Sequence, residues 1–144
     1  MKSKLIHDHE GEKTYALIFE KGDEVMSTLV EFAKTRRLGA SRLSAIGAFS
    51  DVTLGYFNWE TKDYKKMPFN EQVEVLSLTG DIAMKDSEPS VHVHTVVGRS
   101  DGTTLGGHLL EAHVRPTLEV ILVECPAHLR KEMDPESGLA LIRL

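Results

Sequence analysis

The sequence holds one cysteine, Cys125, in 144 residues, so no intrachain disulfide can form and a disulfide-stapled scaffold is excluded. Glycine and proline number 11 and 5, too few for a collagen-like or low-complexity chain. Basic residues are not in excess. The formal net charge is −5, without the basic footprint of a typical nucleic-acid binder. No apolar run approaches the ~18 residues of a membrane helix, and no membrane partner is expected. The stretch Met1 to Asp8 lacks the apolar core of a signal peptide, so the expected compartment is the cytoplasm. There is no internal repeat, no Gly-x-Gly-x-x-Gly, no Walker-type loop and no Gly-x-Ser-x-Gly elbow.

What is present fits one globular domain over residues 1–144, with 41% hydrophobic and 27% charged residues. The charge is uneven. Residues 1–72 hold 11 basic and 11 acidic side chains, whereas residues 73–144 hold 6 basic and 11 acidic ones. That second half also carries five of the seven histidines. An acidic surface repels phosphate and favours cations.

Tyr15, Leu17 and Phe19 alternate with Ala16 and Ile18, the pattern of a strand. Asp23 can cap a following helix, with Glu24 adding favourable charge to its first turn. Val25, Met26, Leu29, Val30, Phe32 and Ala33 recur at helical spacing, and Gly39 suits the position past the end. From Leu43 onward the pattern is β. Val73 to Leu78 reads as a strand whose apolar parity switches at Leu76, which predicts a bulge or burial of both faces. Ser90 to Gly98 and Leu118 to Cys125 read as further strands, with Cys125 as a small buried hydrophobe. Pro126 to Glu132 reads as a short helix opened by proline, and Leu139 to Leu144 as a last strand. Successive strands with few helices between them predict an α+β fold built on a largely antiparallel sheet.

The sharpest chemical feature is Val91-His92-Val93-His94. Residues two apart on a strand share a face, so His92 and His94 project side by side. The stretch Gly98 to Gly102 has hairpin chemistry, and a hairpin there lets His108 return to the same face. Three histidines with an open fourth position form a known catalytic zinc arrangement. The plainer alternatives are a solvated polar face or histidines satisfied in a core. Glu111 and His113 follow two apart and offer an outer partner or a general base, with surface polarity the plainer account of His113. Glu119 lies between Leu118 and Val120, where a carboxylate needs a solvent face or a cation. His7 and His9 offer adventitious metal binding, and His128 reads as a surface residue. A cupin reading fails at its third ligand, because Gly98 and Arg99 stand where that family wants a glutamate.

These segments, taken in order, resemble the plants-and-prokaryotes-conserved (PPC) domain family. The likeness starts at Tyr15-Ala16-Leu17-Ile18-Phe19-Glu20-Lys21-Gly22-Asp23-Glu24 and its helix. It continues through Ala45-Ile46-Gly47-Ala48-Phe49, Leu54-Gly55-Tyr56-Phe57 and Glu74-Val75-Leu76-Ser77-Leu78-Thr79-Gly80. Its most specific pieces are Pro89-Ser90-Val91-His92-Val93-His94, Gly106-Gly107-His108-Leu109 and Thr117-Leu118-Glu119-Val120. The resemblance implies an antiparallel sheet of about seven strands flanked by a few helices and assembled as a homotrimer. It also implies that His92, His94 and His108 match histidines thought to hold a metal in some prokaryotic members. The family's DNA-binding label transfers less well. The Arg-Gly-Arg-Pro AT-hook of plant members is absent, and Glu71 to Leu76 lacks the Gly and Arg of the plant partner-binding stretch.

Three functions follow, in this order. The first is a trimeric protein holding a divalent transition metal, zinc foremost, on His92, His94 and His108. It extends to metal-dependent chemistry on a small molecule, with Glu111 or Glu119 as candidate base. The second is DNA binding or regulation, for which only Lys34, Arg36, Arg37, Arg42, Lys62, Lys65 and Lys66 speak. The third is a structural or interaction module with satisfied histidines.

Overall fold

The alternation at Tyr15, Leu17 and Phe19 builds the second strand of a sheet that runs through nearly the whole chain. The computed structural model describes residues 1–144. Its elements are β1 (Lys2–His9), β2 (Glu12–Glu20), α1 (Val25–Arg36), β3 (Ala40–Asn58), β4 (Asp63–Phe69), β5 (Val73–Lys85), β6 (Glu88–Gly98), β7 (Thr104–Glu124), β8 (Arg130–Met133) and β9 (Ala140–Arg143). Nine strands form one sheet in the order β1-β2-β7-β3-β5-β8-β9, with β4 on β3 and β6 between β5 and β7. The expected seven strands and few helices thus become nine strands and one helix. The pairing is antiparallel except at the single parallel bridge Met84–Arg130, which makes the sheet mixed.

Four of the pairings close a cycle: β3 with β5, β5 with β6, β6 with β7, and β7 with β3. The cycle curls the sheet around a core of 25 buried residues, among them Phe19, Phe49, Leu54, Leu78 and Leu118. Bulges supply the bend. The β5 register slips on both sides between Val75 and Leu78, so Leu76 stands out of the ladder and is exposed. The parity switch at Leu76 is therefore a bulge.

Helix α1 buries Val25, Leu29, Phe32 and Ala33. Its cap is Glu24, whose carboxylate accepts from the N–H groups of Met26 (3.0 Å) and Ser27 (2.6 Å). Asp23, expected there, instead accepts from Glu20 N–H at 2.8 Å and pairs with the N-terminal ammonium at 2.7 Å. The left-handed residue that ends the helix is Arg37, at φ 54°. Gly39 serves close packing, since a Cβ there would lie 2.7 Å from His128 Nδ1. Glu124 at the end of β7 is buried and accepts from Gly39 N–H (2.9 Å), Ala40 N–H (3.3 Å) and the Ser41 hydroxyl.

Two expectations at the C-terminal end are corrected. Residues 126–132 form no helix. Met84 N–H donates to the Leu129 carbonyl at 2.8 Å and Leu129 N–H to the Gly39 carbonyl at 2.9 Å, which hold the chain extended and lead it into β8. Cys125 is exposed, because the buried parity of β7 falls on Val120, Leu122 and Glu124. No helix is long and apolar enough to cross a membrane.

Candidate metal centre

His92 and His94 project from β6, and β7 returns antiparallel so that His108 sits directly opposite His94. The tight hairpin between Gly98 and Thr104 sets this register. Arg99 N–H donates to the Thr103 carbonyl and Gly102 N–H to the Arg99 carbonyl, both at 2.9 Å. The intervening residues Val93 and Val97 face the core and are fully buried. Beneath the pair, Gly80 of β5 allows close strand approach, since a Cβ there would stand 2.4 Å from the His92 carbonyl oxygen.

One ring nitrogen from each of His92, His94 and His108 lies within 4.8 Å of the others. The Nε2 atoms of His92 and His94 are 3.1 Å apart. Two nitrogens on a tetrahedral zinc, each 2.0–2.1 Å away, stand about 3.3 Å apart. The spacing therefore suits a shared ion. His108 carries a second sign of fit: its Nδ1 is buried and has no hydrogen-bond partner. A buried polar atom without a partner needs an explanation, and a ligand in the cluster supplies one.

Electrostatics keep the His94 and His108 rings ready to donate lone pairs. The pKa of His108 is pushed down to about 4, first by burial and then by the neighbouring His92, His94 and Lys131. His94 is lowered for the same reasons, burial first and then His92. Neutral imidazoles are the form that binds metals.

Behind the cluster stand three residues that sequence reasoning missed. Asp81 on β5 pairs in register with His92, and its Oδ2 is 3.5 Å from His92 Nδ1. Its Oδ1 lies 2.6 Å from Nζ of Lys131, whose side chain is 4% exposed. This last contact is an ion pair rather than a well-aligned hydrogen bond. A carboxylate behind a histidine fixes the ring's orientation and raises its basicity as a ligand. Tyr64 of β4 stacks on the His108 ring at 4.7 Å between centroids. Asp81 left a usable trace, a lone carboxylate inside the strand Gly80-Asp81-Ile82. Lys131 left none, since Arg130-Lys131-Glu132 reads as a solvated charge run.

The other candidates lie elsewhere. Glu111 is exposed, three residues along β7 from His108 and past a bulge at Leu110. Glu119 is exposed in a row between Ile18 and Ile46, eleven residues along from His108. His113 binds Asp51 at 2.8 Å, and that hydrogen bond raises its pKa. His7 and His9 are exposed on β1, and His128 is exposed beside Gly39. A cleft of about 400 Å³ opens beside His92 and His108, bounded by Lys131 and by residues 139–142.

A single curled sheet with one capping helix and a three-histidine cluster on a hairpin defines a small mixed-sheet protein with a candidate metal centre. Residues 7–126 match the Plants and Prokaryotes Conserved (PCC) domain, and the chain belongs to that family. A metal-containing protein of Archaeoglobus fulgidus is similar at 33% identity, with TM-score 0.85 and 100% of each chain covered. A candidate DNA-binding protein of Bacteroides thetaiotaomicron is 28% identical, with TM-score 0.86, covering 95% of this chain and 94% of that one. The bifunctional protein GlmU of Synechococcus sp. (strain JA-3-3Ab) is 30% identical over 129 residues, 88% of this chain and 20% of GlmU. The chain thus spans about a fifth of the length of that curated relative. All three clustered histidines fall inside the family match, whereas β8 and β9 lie beyond its last residue.

Proposed function

We propose that this protein is a homotrimeric metal-binding member of its family, and that His92, His94 and His108 hold one divalent transition ion per chain, zinc foremost. The observation that carries the reading is the convergence of three ring nitrogens within 4.8 Å. The donor set supports it: three imidazoles suit zinc and related ions better than magnesium or calcium, which prefer oxygen. The metal-containing Archaeoglobus fulgidus relative adds support.

A divalent ion at this position supplies Lewis acidity to a ligand in the cleft. The chain's own groups do the rest. Asp81 orients His92, Tyr64 fixes the His108 ring, and Lys131 holds Asp81 in place. Of the two carboxylates offered as a base, Glu111 is the nearer to His108 along β7. The trimer is supported by an uncovered patch across β2, β7 and β3, where Ile18 and Ile46 flank Glu119 and Ile121 stands two residues further along β7; the three isoleucines are 39%, 62% and 45% exposed. The intracellular setting expected of the chain, in the cytoplasm, belongs to the same proposal.

The test is metal content together with solution mass. Tag-free protein incubated with zinc and dialysed should retain about one ion per chain and elute as three chains. The triple variant H92A/H94A/H108A should lose the ion and keep its circular dichroism. Stoichiometric zinc in that variant overturns the site, and a monomer mass overturns the trimer.

A second reading, DNA binding, rests on the Bacteroides thetaiotaomicron relative. The basic residues give it limited help. Lys34 pairs with Glu88 at 3.2 Å, and Arg36 lies over the Tyr15 and Phe32 rings at 5.8 and 5.7 Å. Duplex binding at low salt that weakens steeply with added salt supports this reading, and no binding at low salt ends it.

A further inference from the structure

We propose that the cleft beside the three histidines takes a small carboxylate with an apolar tail, its charge met by the net positive charge of the metal-loaded cleft, to which Lys131 contributes, and its tail by β9. The proposal rests on the metal reading above. The histidines lie within residues 7–126 of the family match, together with Tyr64, Asp81, Ser90 and Val91 of the cleft, whereas the rest of its wall lies beyond that match. Lys131 comes from β8, and Leu139, Ala140, Leu141 and Ile142 come from the segment that ends in β9. The apolar part of the wall near residues 139–142 is therefore separate in the chain from the residues that hold an ion.

The charges decide the sign of the ligand. Within the cleft Asp81 and Lys131 offset each other at 2.6 Å. His92 and His108 add no charge when neutral. A bound divalent ion thus leaves the cleft with an excess of positive charge, and an anion is favoured. The cleft holds no arginine and no glycine-rich loop. A single ammonium beside a metal suits a carboxylate, whereas phosphate sites usually recruit guanidinium forks or backbone N–H nests. The four β9-side residues are all apolar, and Leu141 and Ile142 are 40% and 38% exposed. Apolar side chains left open beside a polar centre supply the affinity for a tail of several carbons.

The test follows backbone amide signals of residues 139–142 by NMR during titration with sodium hexanoate, hexan-1-ol or hexylammonium. In the zinc-loaded wild type, hexanoate should shift these signals and bind at least about tenfold more tightly than hexanol. Hexylammonium should not saturate. K131M should weaken the preference for hexanoate over hexanol, because Asp81 is then unopposed, and K131R should keep it. L141D, at an exposed position, should abolish hexanoate binding and leave zinc content unchanged. Zinc-free D81N is the arm without metal: it leaves Lys131 unopposed and should also prefer hexanoate. If the wild type takes no zinc but D81N keeps the preference, the metal reading fails and the cleft assignment stands. If zinc binds and hexanol equals hexanoate in both proteins, the cleft assignment fails and the metal reading stands. No preference and no zinc overturn both.

Discussion

The β6–β7 and β8–β9 hairpins line one cleft but are built on different physics. The β6–β7 hairpin is woven into the closed cycle of strands. Val93, Val97 and Leu109 point into the core and are fully buried, so the histidines between them stand on a rigid base. The β8–β9 hairpin has four-residue strands and meets β5 through one parallel bridge. Its apolar side chains stay partly in solvent, and its one buried charge is held by Asp81. The difference teaches that a rigid element can carry ligands for an ion while a lightly attached one shapes what approaches it. Substitutions should therefore separate the two hairpins.

The largest effect is expected on the β6–β7 side. Replacing any one of His92, His94 or His108 by alanine should lower zinc affinity by about a hundredfold or more, because three ligands become two. Equilibrium competition with a chromophoric chelator measures it, and unchanged affinity in all three variants would break the comparison. Next comes the core beneath. Leu109→Ala should destabilise the fold by about 2–5 kcal/mol, the usual cost of emptying a fully buried leucine site. Leu141→Ala in β9 should cost well under that, since the residue is already 40% exposed. Urea unfolding of the two variants side by side checks the contrast.

Asp81 joins the two hairpins, so D81N is expected to act at an intermediate level. It should weaken zinc binding by about 10–100-fold through the loss of His92 orientation, with the fold retained. An unchanged zinc affinity would mean that the 3.5 Å contact to His92 does not orient the ring.

The smallest effect concerns protons. In the zinc-free protein, His108 should titrate near about 4 rather than at the ordinary 6.5, because burial disfavours its charged form. The unfolded chain therefore binds this proton more readily between those values. Stability is full above 6.5 and falls as the pH drops toward about 4. His113 has the opposite sign. Its pKa is raised by Asp51, so its contribution is present below 6.5 and is lost as pH rises through the folded value. Ring-proton NMR resolves the two residues, and a His108 midpoint at 6.5 would contradict the burial argument.

Much of the β6–β7 side was legible in the sequence because its signals are local. The two-residue repeat of His92 and His94, the turn residues around Gly98 to Gly102 and the distance to His108 are all short-range patterns. The helix at residues 25–36 and the bulge at Leu76 were legible for the same reason. The β8–β9 side was not. A four-residue strand is too short to show a two-residue period, and Pro126 to Glu132 is rich in helix formers. What overrides that propensity is tertiary: the Leu129 backbone bonds to Gly39 and Met84, both distant in sequence. Burial of Lys131 depends likewise on Asp81, fifty residues away. Strand β1 was missed because all of its residues are exposed and carry no alternation. Cys125 was misplaced by one step of parity at the end of β7.

The most direct test of the central claim is zinc per chain, measured by elemental analysis on tag-free protein after incubation with zinc and exhaustive dialysis. The account predicts about one ion per chain in the wild type and near none in H94A. A wild type that retains no zinc, or an H94A variant that retains all of it, would contradict the account.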